Sequence, residues 1–441
     1  MEGKITLKYS ILDFGFTFLG QIFFVVDIAL DVWAMVHLYR EGDFIYLGIL
    51  VAFLVGSSVL GQAFSWLWYR YDDYETRTST EGSVNTRVLK ILHLFQLGVY
   101  LRYIGVLEVA VRSFISKKRD RENVAVFLSH DLSMLRLIET FSESAPQLVL
   151  MLTIMLQTGE WKDPVTVLKA CGSASAIACS VTLYHRSLRS FLREKAQQGF
   201  FSSLLYFVWN LLLIFPRLAA LALFAHALPC YIFAHFLCCW AMLFFLAWCC
   251  KSTFMDSPTG EWLYRATVGL IWYFSWFNVS EGRTVYRCLL YHVWMLLDLV
   301  LLCGLAYWQT HNAPGTRGAL SLDKVAAMGG SILVVYILGL LLKVLYYKYF
   351  HPKLGSSGAE ALSSVVTDGE PLSSVVTDGE PSTVLTKSLK LPAHGDFLDG
   401  GQMNALADDI EVDIMTRCCQ VEKVEKPENR RMKHLAQNFY S

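Results

Sequence analysis

The sequence is poor in charge. Only 17% of its 441 residues are charged, whereas 54% are hydrophobic, and the mean hydropathy is positive. Basic and acidic residues balance to a net charge of zero, which excludes the strongly basic surface of a nucleic-acid-binding protein. This composition predicts a polytopic membrane protein.

Motifs of metal and hydrolytic chemistry are also missing. The chain has no HExxH, no CxxC pair and no paired Gly-x-Gly-Asp element of the kind an intramembrane aspartyl hydrolase would use. Its histidines are isolated in sequence, so they suggest no ligand set. Most of the eleven cysteines lie in or beside apolar segments, where they act as small buried hydrophobic residues. The sequence therefore predicts no metal, no cofactor and no enzymatic activity.

What the chain does contain is a series of apolar segments. They cover residues 11–38, 44–69, 88–110, 131–157, 165–184, 201–225, 230–250, 260–278, 288–308 and 325–350. A helical span needs about 20 apolar residues, and basic loops remain in the cytosol. Basic residues cluster at 112–121, 185–195 and 283–287. These loops and both termini can all be cytosolic only if segments 88–110 and 260–278 do not cross the membrane.

The predicted fold is an all-α polytopic membrane protein. It has about eight transmembrane helices and two re-entrant or buried non-spanning helices. The order of these elements repeats, which predicts a core of residues 1–351 built from two pseudo-repeats, about 1–184 and 201–351. Residues 352–441 lack apolar periodicity until their end and are predicted to be a disordered cytosolic tail.

The first apolar segment carries three aspartates. Asp13 and Asp31 are 18 residues apart, so they project in line from a helix, and Asp27 falls about 40° away. The stripe is about 27 Å long, which is close to the roughly 30 Å thickness of the hydrocarbon core. A carboxylate at mid-membrane costs on the order of 3 kcal/mol, so we expect these residues to have a function.

Further charges lie in other apolar segments. They are Arg102, Arg136, Glu139, Glu143, Arg217 and Asp298. One interpretation is a set of internal salt bridges, in which Asp27 and Asp31 pair with Arg102 or Arg217, and both glutamates pair with Arg136. The other is a polar path through the bilayer, and the two are compatible because a path can be lined by paired charges.

A path carrying both signs favours a lipid headgroup as cargo. Headgroups are zwitterionic or anionic, and their tails can stay in the bilayer while the headgroup follows a groove. An ion channel would need a filter-like ring of ligands, and none is recognisable. The main alternative is a polytopic solute transporter with a charged midplane site.

The tail contains Asp396-Phe397-Leu398-Asp399 followed by Gly400. Executioner caspases cut after aspartate, prefer a small next residue and favour a second aspartate three positions earlier, in a flexible segment. Two tandem copies of LSSVVTDGEP supply weaker sites at Asp368 and Asp378.

The end of the tail has helical periodicity. Met432, Leu435 and Phe439 form the apolar stripe of a short helix with a basic face. We interpret this helix as an autoinhibitory element that cleavage after Asp399 would release from the core.

Several stretches resemble the XK-related family, in particular its caspase-activated phospholipid scramblase branch. They are DIALDVWA (27–34), FSWLWYR (64–70), DLSMLRLIETFSESAPQL (131–148), YFVWNLLLIFPR (206–217), EWLYR (261–265), YFSWFNVSEGRT (273–284) and NRRMKHLAQNF (429–439). The resemblance implies ATP-independent lipid scrambling that exposes phosphatidylserine on apoptotic cells, at the plasma membrane, with basigin or neuroplastin as a single-span escort.

The resemblance also implies a ladder of intramembrane charges. It maps onto Asp13, Asp27, Asp31, Arg102, Glu139, Glu143, Arg217 and Asp298. One departure is that Leu183 precedes Tyr184-His185, where relatives carry an acidic residue. The tandem Thr-Asp-Gly repeat is another departure, and it leaves open which aspartate is cut first.

Overall fold

A computed structural model of the protein describes most of the predicted core. The described residues are 11–72, 74, 78–116, 119–159, 164–190, 198–250, 252, 254–279, 284–312 and 320–350. For Asp13 the description covers the backbone only. The caspase-site and tail-helix predictions lie outside the described residues; they concern Asp368, Asp378, Asp396, Asp399, Gly400, Met432, Leu435 and Phe439.

Helices make up nearly all of the described chain. They are α1 (Ile11–Glu41), α2 (Phe44–Tyr71), α3 (Ser79–Gly82), α4 (Thr86–Leu94), α5 (Gly98–Ser116), α6 (Arg119–Glu139), α7 (Ala145–Thr158), α8 (Pro164–Ser190), α9 (Phe200–Ala227), α10 (Tyr231–Cys249), α11 (Pro258–Phe274), α12 (Thr284–Asn312) and α13 (Leu322–Leu345). Two π-helical turns occur at Thr140–Ser144 and Tyr346–Phe350. The described residues contain no β-strand.

Seven of these helices are long and apolar enough to cross a membrane: α1, α2, α8, α9, α10, α12 and α13. They coincide with seven of the eight predicted spans, which confirms the all-α polytopic class. The remaining predicted span, 131–157, corresponds to the end of α6, a π-helical turn and α7. This run carries four charged residues, Asp131, Arg136, Glu139 and Glu143.

The two segments predicted not to cross also differ from the rest. Helices α4 and α5 are bent by 119° at residues 95–97, the geometry of a broken span or of a re-entrant element. Helix α11 has only 17 residues. Along the chain, two long helices, one bent or short element and two more long helical runs occur from α1 to α8, and the same order recurs from α9 to α13. The division into two pseudo-repeats stays a prediction.

Polar side chains of α2 bind the bend between α4 and α5. Gln96 adopts a left-handed conformation with φ of 64°, and its side-chain oxygen accepts a hydrogen bond from Ser58 at 2.8 Å. The backbone N–H of Val99 donates to the side chain of Gln62 at 3.2 Å. Irregular backbone at membrane depth is tolerated only when its polar groups have such partners.

The π-helical turn Thr140–Ser144 has a local cause. Pro146 follows it in the first turn of α7 and has no N–H to continue the α-helical pattern. The hydroxyls of Thr140 and Ser142 donate to carbonyl oxygens one turn earlier, at 2.7 and 2.8 Å. These bonds stabilise the turn, which lies among the charged residues of this helical run.

Helix α9 lies at the centre of the bundle and packs against α7, α8, α12 and α13. Its contact with α13 is close because Gly339 has no side chain. A Cβ atom there would lie 3.0 Å from the carbonyl oxygen of Leu212 and 2.8 Å from the side chain of Leu213. This helix positions Arg217, which is completely buried.

Candidate functional site

The first charged cluster joins α1 to the run from α6 to α7. It comprises Asp27, Asp31, Arg136, Glu139 and Glu143. The Arg136 guanidinium lies 2.9 Å from Asp27 Oδ2 and 2.9 Å from Glu139 Oε1, and only 8% of its side chain is exposed. One buried cation thus holds carboxylates from two helices.

Asp31 and Glu143 lie beside this triad. Both are buried, and their carboxyl groups lie close to each other and to the carboxylate of Glu139. In the first cluster, four carboxyl groups surround one guanidinium.

A separate ion pair anchors the bent element. The Arg102 guanidinium is 3.6 Å from Asp131, donates to Ser65 Oγ at 2.9 Å and stacks 3.9 Å from the ring centroid of Tyr69. These contacts bind α5 to α2 and α6. Sequence reasoning missed Asp131, although it begins the charged stretch that contains Arg136.

The second charged cluster joins four helices of the C-terminal half. Arg217 on α9 donates to Asp298 Oδ2 on α12 and to the carbonyl oxygen of Tyr273 at 3.1 Å. His235 on α10 lies 3.1 Å from Asp298 Oδ1 and 3.0 Å from the Tyr273 hydroxyl. All the polar partners of this buried ion pair come from elements that are distant in sequence.

His235 is a member of this cluster that sequence reasoning treated as isolated. A signal was present, since it is the one histidine in α10, a helix that contains no Asp, Glu, Lys or Arg. With Cys239, four residues later, and Asp298 it brings three potential metal ligands within 4.8 Å of one another. Arg217 already occupies one oxygen of Asp298, however, so the arrangement is primarily an ion pair.

The predicted pairing of Asp27 with Arg102 or Arg217 is wrong. Both arginines are bound to other aspartates, Asp131 and Asp298, and Asp27 binds Arg136 instead. The predicted contact between Glu139 and Arg136 is present.

An apolar groove of about 1370 Å³ lies between the two clusters. Its lining residues come from α2, α7, α9, α10 and α11, from the π-helical turn and from the loops that precede α2 and α10. Ser57 and Ser142 are among them and bond to each other at 2.9 Å, and Ser142 directly precedes Glu143 of the first cluster. Tyr273 also lines the groove, and its carbonyl oxygen accepts a hydrogen bond from Arg217 of the second cluster. The groove therefore adjoins both charged clusters.

Comparison with known proteins identifies the family. The model of the XK-related protein family matches residues 15–352. The chain belongs to the XK-related family. It is 47% identical over 359 residues to XK-related protein 8 of Tetraodon nigroviridis, covering 80% of this chain and 87% of that protein. XK-related protein 8 of Gasterosteus aculeatus is 45% identical over 361 residues, with the same coverage.

A more distant relative is XK-related protein 8 of Pan troglodytes. It is 38% identical over 338 residues, covering 76% of this chain and 82% of the relative. The match to the XK-related family includes both charged clusters and every residue that lines the groove. Asp13 precedes the matched residues.

Proposed function

We propose that this XK-related protein is a phospholipid scramblase. It moves lipids in both directions between the leaflets without ATP, and it is not an enzyme. The observation that carries the proposal is the apolar groove that adjoins two buried charged clusters and has Ser57, Ser142 and Tyr273 in its lining. Lipid tails can remain in the apolar part while the headgroup approaches polar and charged groups.

The sign of the charges supports a headgroup as cargo. The first cluster has an excess of carboxyl groups, which suits the ammonium of a zwitterionic or serine headgroup. The second contains Arg217, whose guanidinium suits a phosphate. Burying charged groups inside a membrane protein costs free energy, and pairing within each cluster lowers that cost.

Regulation and location follow from the resemblance noted in the sequence. We propose that the protein resides in the plasma membrane with both termini in the cytosol, accompanied by basigin or neuroplastin. Executioner caspases would cut after Asp399, release the helix that contains Met432, Leu435 and Phe439, and so start phosphatidylserine exposure on apoptotic cells.

The test uses the full-length protein in liposomes that contain traces of headgroup-labelled phosphatidylcholine and phosphatidylserine. We expect little lipid movement before treatment with an executioner caspase and rapid loss of asymmetry after it. The Asp399→Ala variant should stay inactive, whereas Asp368→Ala and Asp378→Ala should be activated. Cleavage without any lipid movement would refute the scramblase assignment.

The same liposomes test the solute-transporter alternative, which the buried Arg217–Asp298 pair favours because transporters hold charged residues near the membrane centre. Saturable uptake of a soluble substrate by a protein that moves no labelled lipid would support this alternative. Activation of the Asp399→Ala variant to the wild-type extent would instead reject only the cleavage site.

A further inference from the structure

A second, smaller cavity lies in the N-terminal half, between α1, α5, α6 and α8. It encloses about 70 Å³, which is room for a few water molecules or one phosphate-sized group. It is separate from the apolar groove, with which it shares no lining residue.

The lining has the chemistry of an anion site. Arg136 and Arg186 line the cavity together with four serine residues. The serines are Ser129, Ser133, Ser180 and Ser187. Neither aspartate nor glutamate is among the described residues that line it. Arginine and hydroxyl donors with no carboxylate in the wall form the donor set that phosphate groups prefer.

Both guanidinium groups are held in place. Arg186 donates to the carbonyl oxygen of Gln198 and to Ser203 Oγ, each at 2.6 Å, and lies 4.3 Å from the ring centroid of Phe16. Arg136 is fixed by Asp27 and Glu139, each 2.9 Å away, and neither of these residues lines the cavity. Neither arginine has to be ordered when an anion arrives, so binding is preorganised.

Ser129 provides an independent observation. Its Oγ is buried and has no hydrogen-bond partner within the described part of the chain, whereas Ser133 and Ser180 donate to carbonyl oxygens of their own helices. A buried hydroxyl without a partner costs free energy. An anion in the cavity would satisfy it.

We propose that this cavity is a phosphate subsite that holds the phosphodiester of a lipid headgroup. The inference rests on the proposed scramblase function and extends it by assigning a binding site for the headgroup phosphate. In the predicted topology, the start of α1 and the end of α8 face the cytosol. The subsite therefore receives headgroups from the cytosolic leaflet, before or after they pass the first charged cluster.

Leu183 allows a sharp test because its side chain lines the cavity. Leu183→Asp introduces a carboxylate beside the phosphate position, and Leu183→Asn introduces a side chain of the same size without charge. The full-length protein is delipidated in detergent, and its thermal stability is followed against inorganic phosphate, dioctanoyl phosphatidylserine and, as a phosphate-free lipid, dioctanoylglycerol.

We expect phosphate and the short-chain phosphatidylserine to stabilise the wild-type protein, and dioctanoylglycerol to have no effect. Apparent affinity should fall at least about tenfold in Leu183→Asp, because of repulsion in a low-dielectric cavity, and stay within about twofold in Leu183→Asn. Stabilisation by inorganic phosphate alone would overturn the headgroup assignment. No stabilisation, or equal losses in both variants, would overturn the site.

The liposome assay separates this proposal from the proposed function. If the cavity binds a headgroup phosphate in transit, the Leu183→Asp variant should move labelled phosphatidylserine at least several-fold more slowly than Leu183→Asn. If the wild-type protein moves no lipid but the phosphate response and its loss in Leu183→Asp remain, the scramblase function fails and the phosphate site stands.

Discussion

The buried ion pair between Arg217 and Asp298 can stabilise the fold, guide lipid headgroups, or do both. Arg217 is completely buried and Asp298 is 8% exposed. Removing one partner leaves the other charge buried without compensation, which typically costs about 3–5 kcal/mol. We therefore expect Asp298→Asn to lower the apparent melting temperature of the purified protein sharply.

An ion pair with a solvent-exposed arginine provides the control for that measurement. Arg112 and Glu108 are 2.9 Å apart on the same helix, and their side chains are 52% and 13% exposed. Arg112 also donates to Ser79 Oγ at 2.7 Å. Because the arginine remains hydrated, such a pair contributes at most about 1 kcal/mol. Arg112→Gln should therefore change the melting temperature little. An equal loss in Arg112→Gln and Asp298→Asn would contradict the special role of the buried pair.

A double variant separates structure from function at the same residues. Replacing both partners with apolar side chains, Arg217→Met with Asp298→Leu, should recover most of the stability lost in Asp298→Asn, because a well-packed apolar pair removes the unpaired charge. If the pair also guides headgroups, lipid movement in liposomes should remain slow after stability recovers. Recovery of both properties would assign the pair a structural role only.

Some contacts between single residues could be predicted from the sequence and others could not, and the difference has a physical reason. The sequence placed Arg136 and Glu139 on one helix face, and a contact over three residues needs nothing more than helical geometry. The partners of Arg102 and Arg217 depend on which helices pack together. Charge and spacing along one segment carry no information about that choice, so the partners predicted for these two arginines were wrong.

The close contact between α9 and α13 is a property of these elements rather than of any charge. In Gly339→Ala the new Cβ would meet the backbone of α9 at 3.0 Å. Overpacking of this kind typically costs about 1–3 kcal/mol, so we expect a lower melting temperature with little effect on insertion into the membrane.

Gly330 gives the matched control because it lies on the same helix and a Cβ there would meet nothing within 4 Å. Gly330→Ala should be neutral or slightly stabilising, since alanine favours helix over glycine. If Gly339→Ala were as stable as Gly330→Ala, α9 and α13 would have to lie farther apart than in this structure.

The helices could be located from the sequence where one signal, such as a long apolar run, was strong. Long apolar runs gave seven of the spans, and the polar interruptions of segment 88–110 marked the bent pair α4 and α5. The π-helical turn at Thr140–Ser144 was not anticipated. Pro146 indicated an irregularity in the helix. Whether the helix kinks there or inserts an extra residue as a π-helical turn depends on local hydroxyl donors and on packing.

At the scale of the whole molecule, composition and charge placement predicted a membrane protein with a polar interior. They could not predict the apolar groove, because its lining comes from five helices, the π-helical turn and two loops, between residues 42 and 274 of the chain. A groove of this kind exists only after the two halves pack, and its shape is fixed by the contacts of α7 with α9 and of the π-helical turn with α11.

Filling the groove tests whether lipids use it. Ala52 is an exposed residue of α2 that lines the groove, and Ala52→Trp would occupy part of the space available to lipid tails. Val51 lies next to it at nearly the same depth, is 39% exposed and does not line the groove. Val51→Trp therefore adds the same bulk to a lipid-facing surface elsewhere.

We expect Ala52→Trp to slow the movement of labelled lipids several-fold after caspase treatment, while Val51→Trp moves them at the wild-type rate. Both variants should fold, because each side chain is exposed in the wild-type protein and tryptophan is well tolerated at apolar, lipid-facing positions. Equal rates for the two variants, with equal amounts of cleaved protein in the liposomes, would place the lipid route outside the groove and leave the charged clusters without a tail-binding surface beside them.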